Sequence, residues 1–247
     1  MNIQTTQTRT AAETALIDTF AARLPALPGD KAVTAKRREA IAALEARGLP
    51  NRKIEAWHYT DLRRLLTTVP AFDDGAKATT VAPLLEGSVV LPILNGKAGK
   101  APSVEGVTIA PAAEKMADGT FAPALQPSTD DDAVGAINAA LAADGWFLDI
   151  AGGATPEAPI ELQSAQAGGQ VHTRLAARVG EGAKATVLER HVGTGDALAS
   201  SVTNIVVGDG AELRWLIVQE QPRGATYLGQ FNAWIGKEAK LTLFVMN

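Results

Sequence analysis

The chain has 247 residues, of which 46% are hydrophobic and 20% charged, and it carries a net charge of −4. That length can bury a real core in one large domain or two modest ones, and the charge argues against a protein that holds nucleic acid through a basic face. There is no cysteine, which excludes disulfides, thiolate metal sites, cysteine nucleophiles and iron–sulfur ligation by this chain's own thiolates. The opening "MNIQTTQTRTAAET" is polar without an apolar stretch, and no apolar run approaches the roughly 20 residues of a membrane helix. A cytoplasmic protein without a membrane anchor is the expectation.

"AAETALIDTFAARL" places Leu16, Phe20 and Leu24 on one helical stripe, which the prolines at 25 and 28 then end. A second helix is predicted from about Asp30 to Arg47. Val33, Ile41 and Leu44 face inward, and Lys36, Arg37, Arg38 and Glu39 face outward. Asp30 is its expected N-cap and Gly48 its left-handed terminator. The densest stretch follows, "GLPNRKIEAWHYTDL" from Gly48 to Leu62. Pro50 fixes a turn, Arg52 and Glu55 are spaced to pair on a helical turn, and Thr60 or Asp61 can cap a short helix "LRRLL". Trp57 and Tyr59 are expected to supply buried area, each with a polar handle, in an elbow that locks helices together. His58 reads as a partly exposed polar residue, and three histidines far apart make a metal site a poor bet.

The reading divides the chain into a helical domain over 1–70, an irregular connector over 71–129, and a helix followed by β-structure over 130–247. In the connector, "SVVLPIL" and "VEGVTIA" are candidate strands among repeated prolines. "DDDAVGAINAALAADGW" reads as a helix with Val134, Ile137 and Leu141 as its stripe and Gly145 closing it. Its three aspartates favour the positive helix start rather than Mg²⁺ or Ca²⁺.

The last eighty residues carry a repeat. "VGEGAKATVLE", "VGDGAELRWLI" and "IGKEAKLTLFV" begin at Val179, Val207 and Ile235, two steps of 28 residues with Gly180, Gly208 and Gly236 in register. Alternation on both sides of each glycine corner means two strands per repeat. A fixed period in this range predicts a solenoid whose coils bury their inner face by stacking, and a row of antiparallel hairpins is the rival. "FLDIAGGATPEAPIEL" is expected to form a degenerate first coil. The pattern stops at "LTLFVMN" in mid-strand. This predicts a truncated piece of a longer protein, or an open end covered by a partner or by a second copy in a homodimer.

These residues resemble the SufD family. Gly48, Pro50, Arg52, Glu55, Trp57, Tyr59 and Thr60 match its N-terminal signature of Gly-x-Pro, a basic residue, Glu-x-Trp and Tyr-Thr, although His58 stands where the family usually has Lys or Arg. "AINAALAADGWFLDIAGGATPEAPIEL" and "GAKATVLERHVG" are similar to the family's entry into its β-helix. The resemblance implies a right-handed parallel β-helix flanked by helical domains. It also implies a non-catalytic scaffold of the SUF iron–sulfur assembly machinery, acting with its paralogue SufB and the ATPase SufC. Those contacts would lie mostly in coils and a helical domain beyond Asn247. No cofactor or metal is expected on this chain, the cluster being assembled by the full complex. The absence of cysteine sets the chain apart from SufB, whose β-helix carries cysteines. The alternative is a carbohydrate-active enzyme or glycan-binding protein. That reading needs clustered carboxylates on a sheet face, and Glu161, Glu189 and Glu220 do not share one repeat position.

Overall fold

The computed structural model describes residues 8–247. Helix α1 (Ala11–Arg23) opens on a capping box in which Thr10 and Glu13 satisfy each other's backbone N–H groups. Asp30 caps α2 (Lys31–Arg47), accepting from the Val33 amide at 2.8 Å, and Gly48 ends it at φ 70°. The short α3 (Leu62–Leu65) is capped by Asp61, one of the two residues expected to do so. Leu16, Phe20, Val33, Ile41 and Leu44 are buried, as their spacing predicts.

Residues 71–129 hold more order than their prolines led us to expect. Strands β1 (Val89–Leu94), β2 (Lys97–Ala98) and β3 (Val107–Pro111) are followed by α4 (Ala112–Ala117). Neither β2 nor α4 was anticipated, because two and six residues are too short for periodicity to show. Helix α5 (Ala133–Leu141) begins at Asp132, whose carboxylate accepts from the Gly135 amide at 2.7 Å. It corrects the prediction in two ways. All nine residues are buried, so the helix has no solvent face, and it ends before Gly145. Gly145 instead sits at φ 150° against the Arg174 carbonyl, where a side chain has no room.

Arg37 is a further correction. Expected on the outer face of α2, it is 1% exposed. Its guanidinium donates to the Ala139 and Ala140 carbonyls at the end of α5, at 3.2 and 3.1 Å, and to the Pro28 carbonyl at 3.0 Å. A cation at the negative end of a helix dipole is favourable, and that tertiary contact outweighs the solvent preference of the side chain. Burial lowers its pKa to about 10.

The rest of the chain is a solenoid. Strands β4 (Trp146–Ile150), β6 (Gly169–Val179), β8 (Ala197–Val207) and β10 (Thr226–Ile235) stack in one sheet. Strands β5 (Ile160–Gln166), β7 (Lys184–Gly193), β9 (Glu212–Glu220) and β11 (Lys240–Met246) stack on β1 in the other. These strands pair in parallel, which rules out the hairpin alternative. Val171 pairs with Ala199 and Ala199 with Tyr227, a 28-residue register carried through about four turns. The first coil is degenerate as expected: Ile150 pairs with Val179, one residue longer than the period. Antiparallel β2 on β1, and β3 on β4, close the stack at its start. At the other end β10 and β11 are sheet edges, with Trp234, Ile235, Phe244, Val245 and Met246 exposed.

Two cores result. One fills the solenoid lumen with residues such as Trp146, Leu162, Val187, Ile205 and Trp215. The other gathers α1, α2, α4 and α5 against the outer face of the β4–β10 sheet through Ala176, Leu198, Val202 and Leu228. Gly180, Gly208 and Gly236 stand at the corners because stacked backbones meet there. A Cβ on Gly208 would lie 2.8 Å from the Glu181 amide nitrogen and 2.9 Å from the Val179 carbonyl oxygen. The left-handed corner residue lies two positions on, at Gly182, Gly210 and Glu238. Gly208→Ala is therefore expected to cost about 2–4 kcal/mol by forcing coils apart. Gly210→Ala meets only open space and should cost about 1–2 kcal/mol of backbone strain. Equal losses of the two variants in urea denaturation would contradict this account of the corners.

Candidate functional site

The lumen, largely apolar, encloses a cluster centred on a carboxylate. Glu189 faces inward from β7 at the rung held by Leu162 one coil earlier and by Ile217 one coil later. It is 2% exposed. Its Oε1 accepts from Ser201 at 3.1 Å and lies 2.8 Å from His191 Nε2. Its Oε2 accepts from Thr203 Oγ1 at 2.8 Å and from Trp215 Nε1 at 3.2 Å. Tyr227 from β10 brings its hydroxyl to 2.9 Å from the same His191 nitrogen. Strands from three successive coils thus supply one polar set, and parallel stacking alone makes them neighbours.

Burial by itself would raise the Glu189 carboxyl, but the hydrogen bonds and charge of His191, with Thr203 and Ser201, outweigh it and hold the pKa below the ordinary range. Tyr227 is pushed the other way, well above its usual value, by burial first and then by the Glu189 charge. A nucleophile-activating triad places its carboxylate and its hydroxyl on opposite nitrogens of the imidazole. Here both oxygens meet Nε2. The geometry ties residues of adjacent coils to one another. Among the described residues, no three His, Asp or Glu side chains form a group that would hold a metal ion.

A second polar set pins the connector to the outside of the β5–β9 sheet. Gln163 exchanges hydrogen bonds with the Val81 backbone at 2.8 and 3.1 Å, and Glu161 accepts from the Leu84 amide at 2.8 Å. Arg190 donates to the Ala82 carbonyl and pairs with both Glu161 and Glu220. The glutamates that failed to align by repeat position therefore do different work. Glu161 and Glu220 face outward to Arg190, and Glu189 faces inward.

A third buried set lies between α5 and the β6–β8 strands. His172 is fully enclosed, with Nδ1 2.8 Å from Ser200 Oγ and Nε2 3.2 Å from Gln170 Oε1. An amide oxygen only accepts, so Nε2 carries the proton of the neutral ring and Nδ1 accepts from the hydroxyl. Burial lowers its pKa to about 3.

The signature residues are placed less uniformly than an elbow requires. Trp57 is half-buried on the helical core and donates to the Asp131 carbonyl at 3.2 Å. Gly48 and Pro50 begin the turn. Arg52, Glu55 and Thr60 are exposed, and Tyr59 is 91% exposed, which corrects the expectation that it is buried. The predicted Arg52–Glu55 pair is not among the ion pairs of the described residues, because 52–54 is a turn and only Glu55–Trp57 winds as a 3₁₀ helix. The lumen cluster, by contrast, was missed. Its signal was present as Glu189 and His191 at inward parity, visible once each is compared with the column above and below it.

The fold and its enclosed clusters define a repeat-built β-solenoid protein with a helical domain docked on one sheet. Two family models match it. The SUF system FeS cluster assembly, SufBD core domain covers residues 162–247, on the solenoid, and the SufBD protein N-terminal region covers residues 11–72, on α1 to α3. Together they span more than half of the chain, which belongs to the SufB/SufD family of the SUF iron–sulfur cluster assembly system. No curated protein matches it.

Proposed function

We propose that this chain is a SufD-like, non-catalytic scaffold subunit of SUF iron–sulfur cluster assembly, acting in the cytoplasm with a SufB-type paralogue and a SufC-type ATPase. The carrying observation is a family solenoid without a single cysteine. Such a lumen has no thiolate to receive sulfur or ligate iron, so the division of labour leaves those steps to a paralogue, and the cluster is the cargo of the assembled complex. No helix among the described residues is long and apolar enough to cross a membrane.

Co-purification with tagged SufB-type and SufC-type proteins of the same organism tests this reading, with the chain and a version extended through the family's further coils run side by side. Retention of the extended version is the expected result. Failure of both would sink the scaffold assignment.

A further inference from the structure

The segment from Pro50 to Arg63 is a compact loop with its ends joined. The Arg63 amide donates to the Pro50 carbonyl at 3.1 Å, the closed neck of an Ω-loop. Three anchors hold it. Leu49 is buried, with its amide on Glu13 Oε1 at 2.7 Å, Leu62 is fully buried, and Trp57 is tied to Asp131 in the middle. Inside, the Asn51 carbonyl and side chain accept from Ile54 and Lys53 at 3.1 and 2.9 Å. The loop is preorganised, yet most of what it carries points to water. Arg52, Lys53, Glu55, His58, Tyr59 and Thr60 are exposed, with Arg64 and Leu65 just beyond the neck.

That exposure changes what the segment is for. A Tyr at 91% exposure adds nothing to the core, and its ring is braced edge-on by His58 with centroids 5.0 Å apart. Exposed residues on a rigidly presented loop are the arrangement of recognition rather than packing. The chemistry has a sign. Among the described residues, Arg52, Lys53 and Arg64 have no carboxylate within ion-pair distance, while Asp61 is occupied in capping α3. A chain of net charge −4 therefore keeps three cations outside ion pairs on this segment, two within the loop and one just beyond its neck. Tyr and Arg are the residues that most often anchor protein interfaces.

We propose that the 50–63 loop is a docking site for an acidic segment of a partner protein. Tyr59 receives an apolar side chain of that segment, and Arg52, Lys53 and Arg64 pair its carboxylates. A protein is favoured over a nucleic acid because three cations on a chain of net charge −4 are too few to neutralise a run of backbone phosphates. This inference stands apart from the choice of SUF partners and does not depend on it.

The test is fluorescence polarisation of the full chain with a short synthetic Glu/Asp-rich peptide carrying one central Leu. A single-stranded RNA of matched charge runs beside it. Wild type should bind the peptide more tightly than the RNA and weaken as salt rises. Tyr59→Ala and the double variant Arg52→Glu, Lys53→Glu should each lose about tenfold or more in affinity. Their circular dichroism should match wild type, since the altered side chains are exposed. Lys184→Glu with Lys240→Glu, cations on the solenoid far along the chain, should leave binding unchanged. Absence of wild-type binding, tighter binding of the RNA, equal loss in the solenoid variant, or no loss in either loop variant would each overturn the proposal.

Discussion

Replacing Glu189 with alanine is expected to lower the unfolding free energy by about 3–5 kcal/mol, the range for removing one member of a buried charged network. The loss has two parts. The carboxylate's own hydrogen bonds disappear, and Ser201, Thr203 and Trp215 are left as buried donors without that acceptor, while His191 keeps only the Tyr227 hydroxyl. Water cannot replace the carboxylate cheaply in a lumen walled by Leu162, Val187, Leu213 and Ile217. Glu189→Gln keeps one acceptor oxygen and should lose less than the alanine variant. Glu189→Leu restores the residue type of its neighbours in the column but still strands the donors, so it should also be destabilised. Urea unfolding of the three variants decides the matter. A Leu variant as stable as wild type would show that the cluster is dispensable for the stack.

The second large effect is acid sensitivity centred on His172. In the unfolded chain its imidazole titrates near 6.5, whereas burial lowers the folded value to about 3. The folded state therefore binds fewer protons than the unfolded state throughout that interval. The contribution of this group is complete above pH 6.5 and is lost as pH falls toward 3, at about 1.4 kcal/mol per pH unit within the window. At pH 5 the loss is about 2 kcal/mol. Glu189, whose folded pKa is also depressed, adds its own loss only below its unfolded value of 4.5. His172→Gln removes the titration while keeping a polar side chain near Gln170 and Ser200. Its urea midpoint should change less than that of wild type between pH 7 and pH 5. Parallel decline of the two proteins over that range would remove His172 as the cause.

How far the sequence could be read follows from which forces were local. The cap Asp30, the aspartate run at 130–132 and the terminator Gly48 act on backbone groups within four residues of themselves, so their types and spacing announced them, and the structure picks Asp132 from the run. The 28-residue repeat was legible for a related reason. Each coil meets a nearly identical neighbour, so the same packing demand recurs at a fixed distance along the chain. Arg37 was misread because its partners, the carbonyls of Ala139 and Ala140, lie a hundred residues away. Tyr59 was misread because aromatic size predicts burial only on average, and the 3₁₀ turn before it aims the ring at water.

By itself, then, the chain determined α1, α2, α3 and α5, the solenoid and its corners, and the family to which it belongs, because periodic burial and close backbone contact leave marks at every repeat. Only the tertiary structure decided which polar residues share a site. Glu189, Ser201, Thr203, Trp215 and Tyr227 come from different strands. They meet because stacking brings residues one coil apart to hydrogen-bonding distance, a relation that no local pattern expresses.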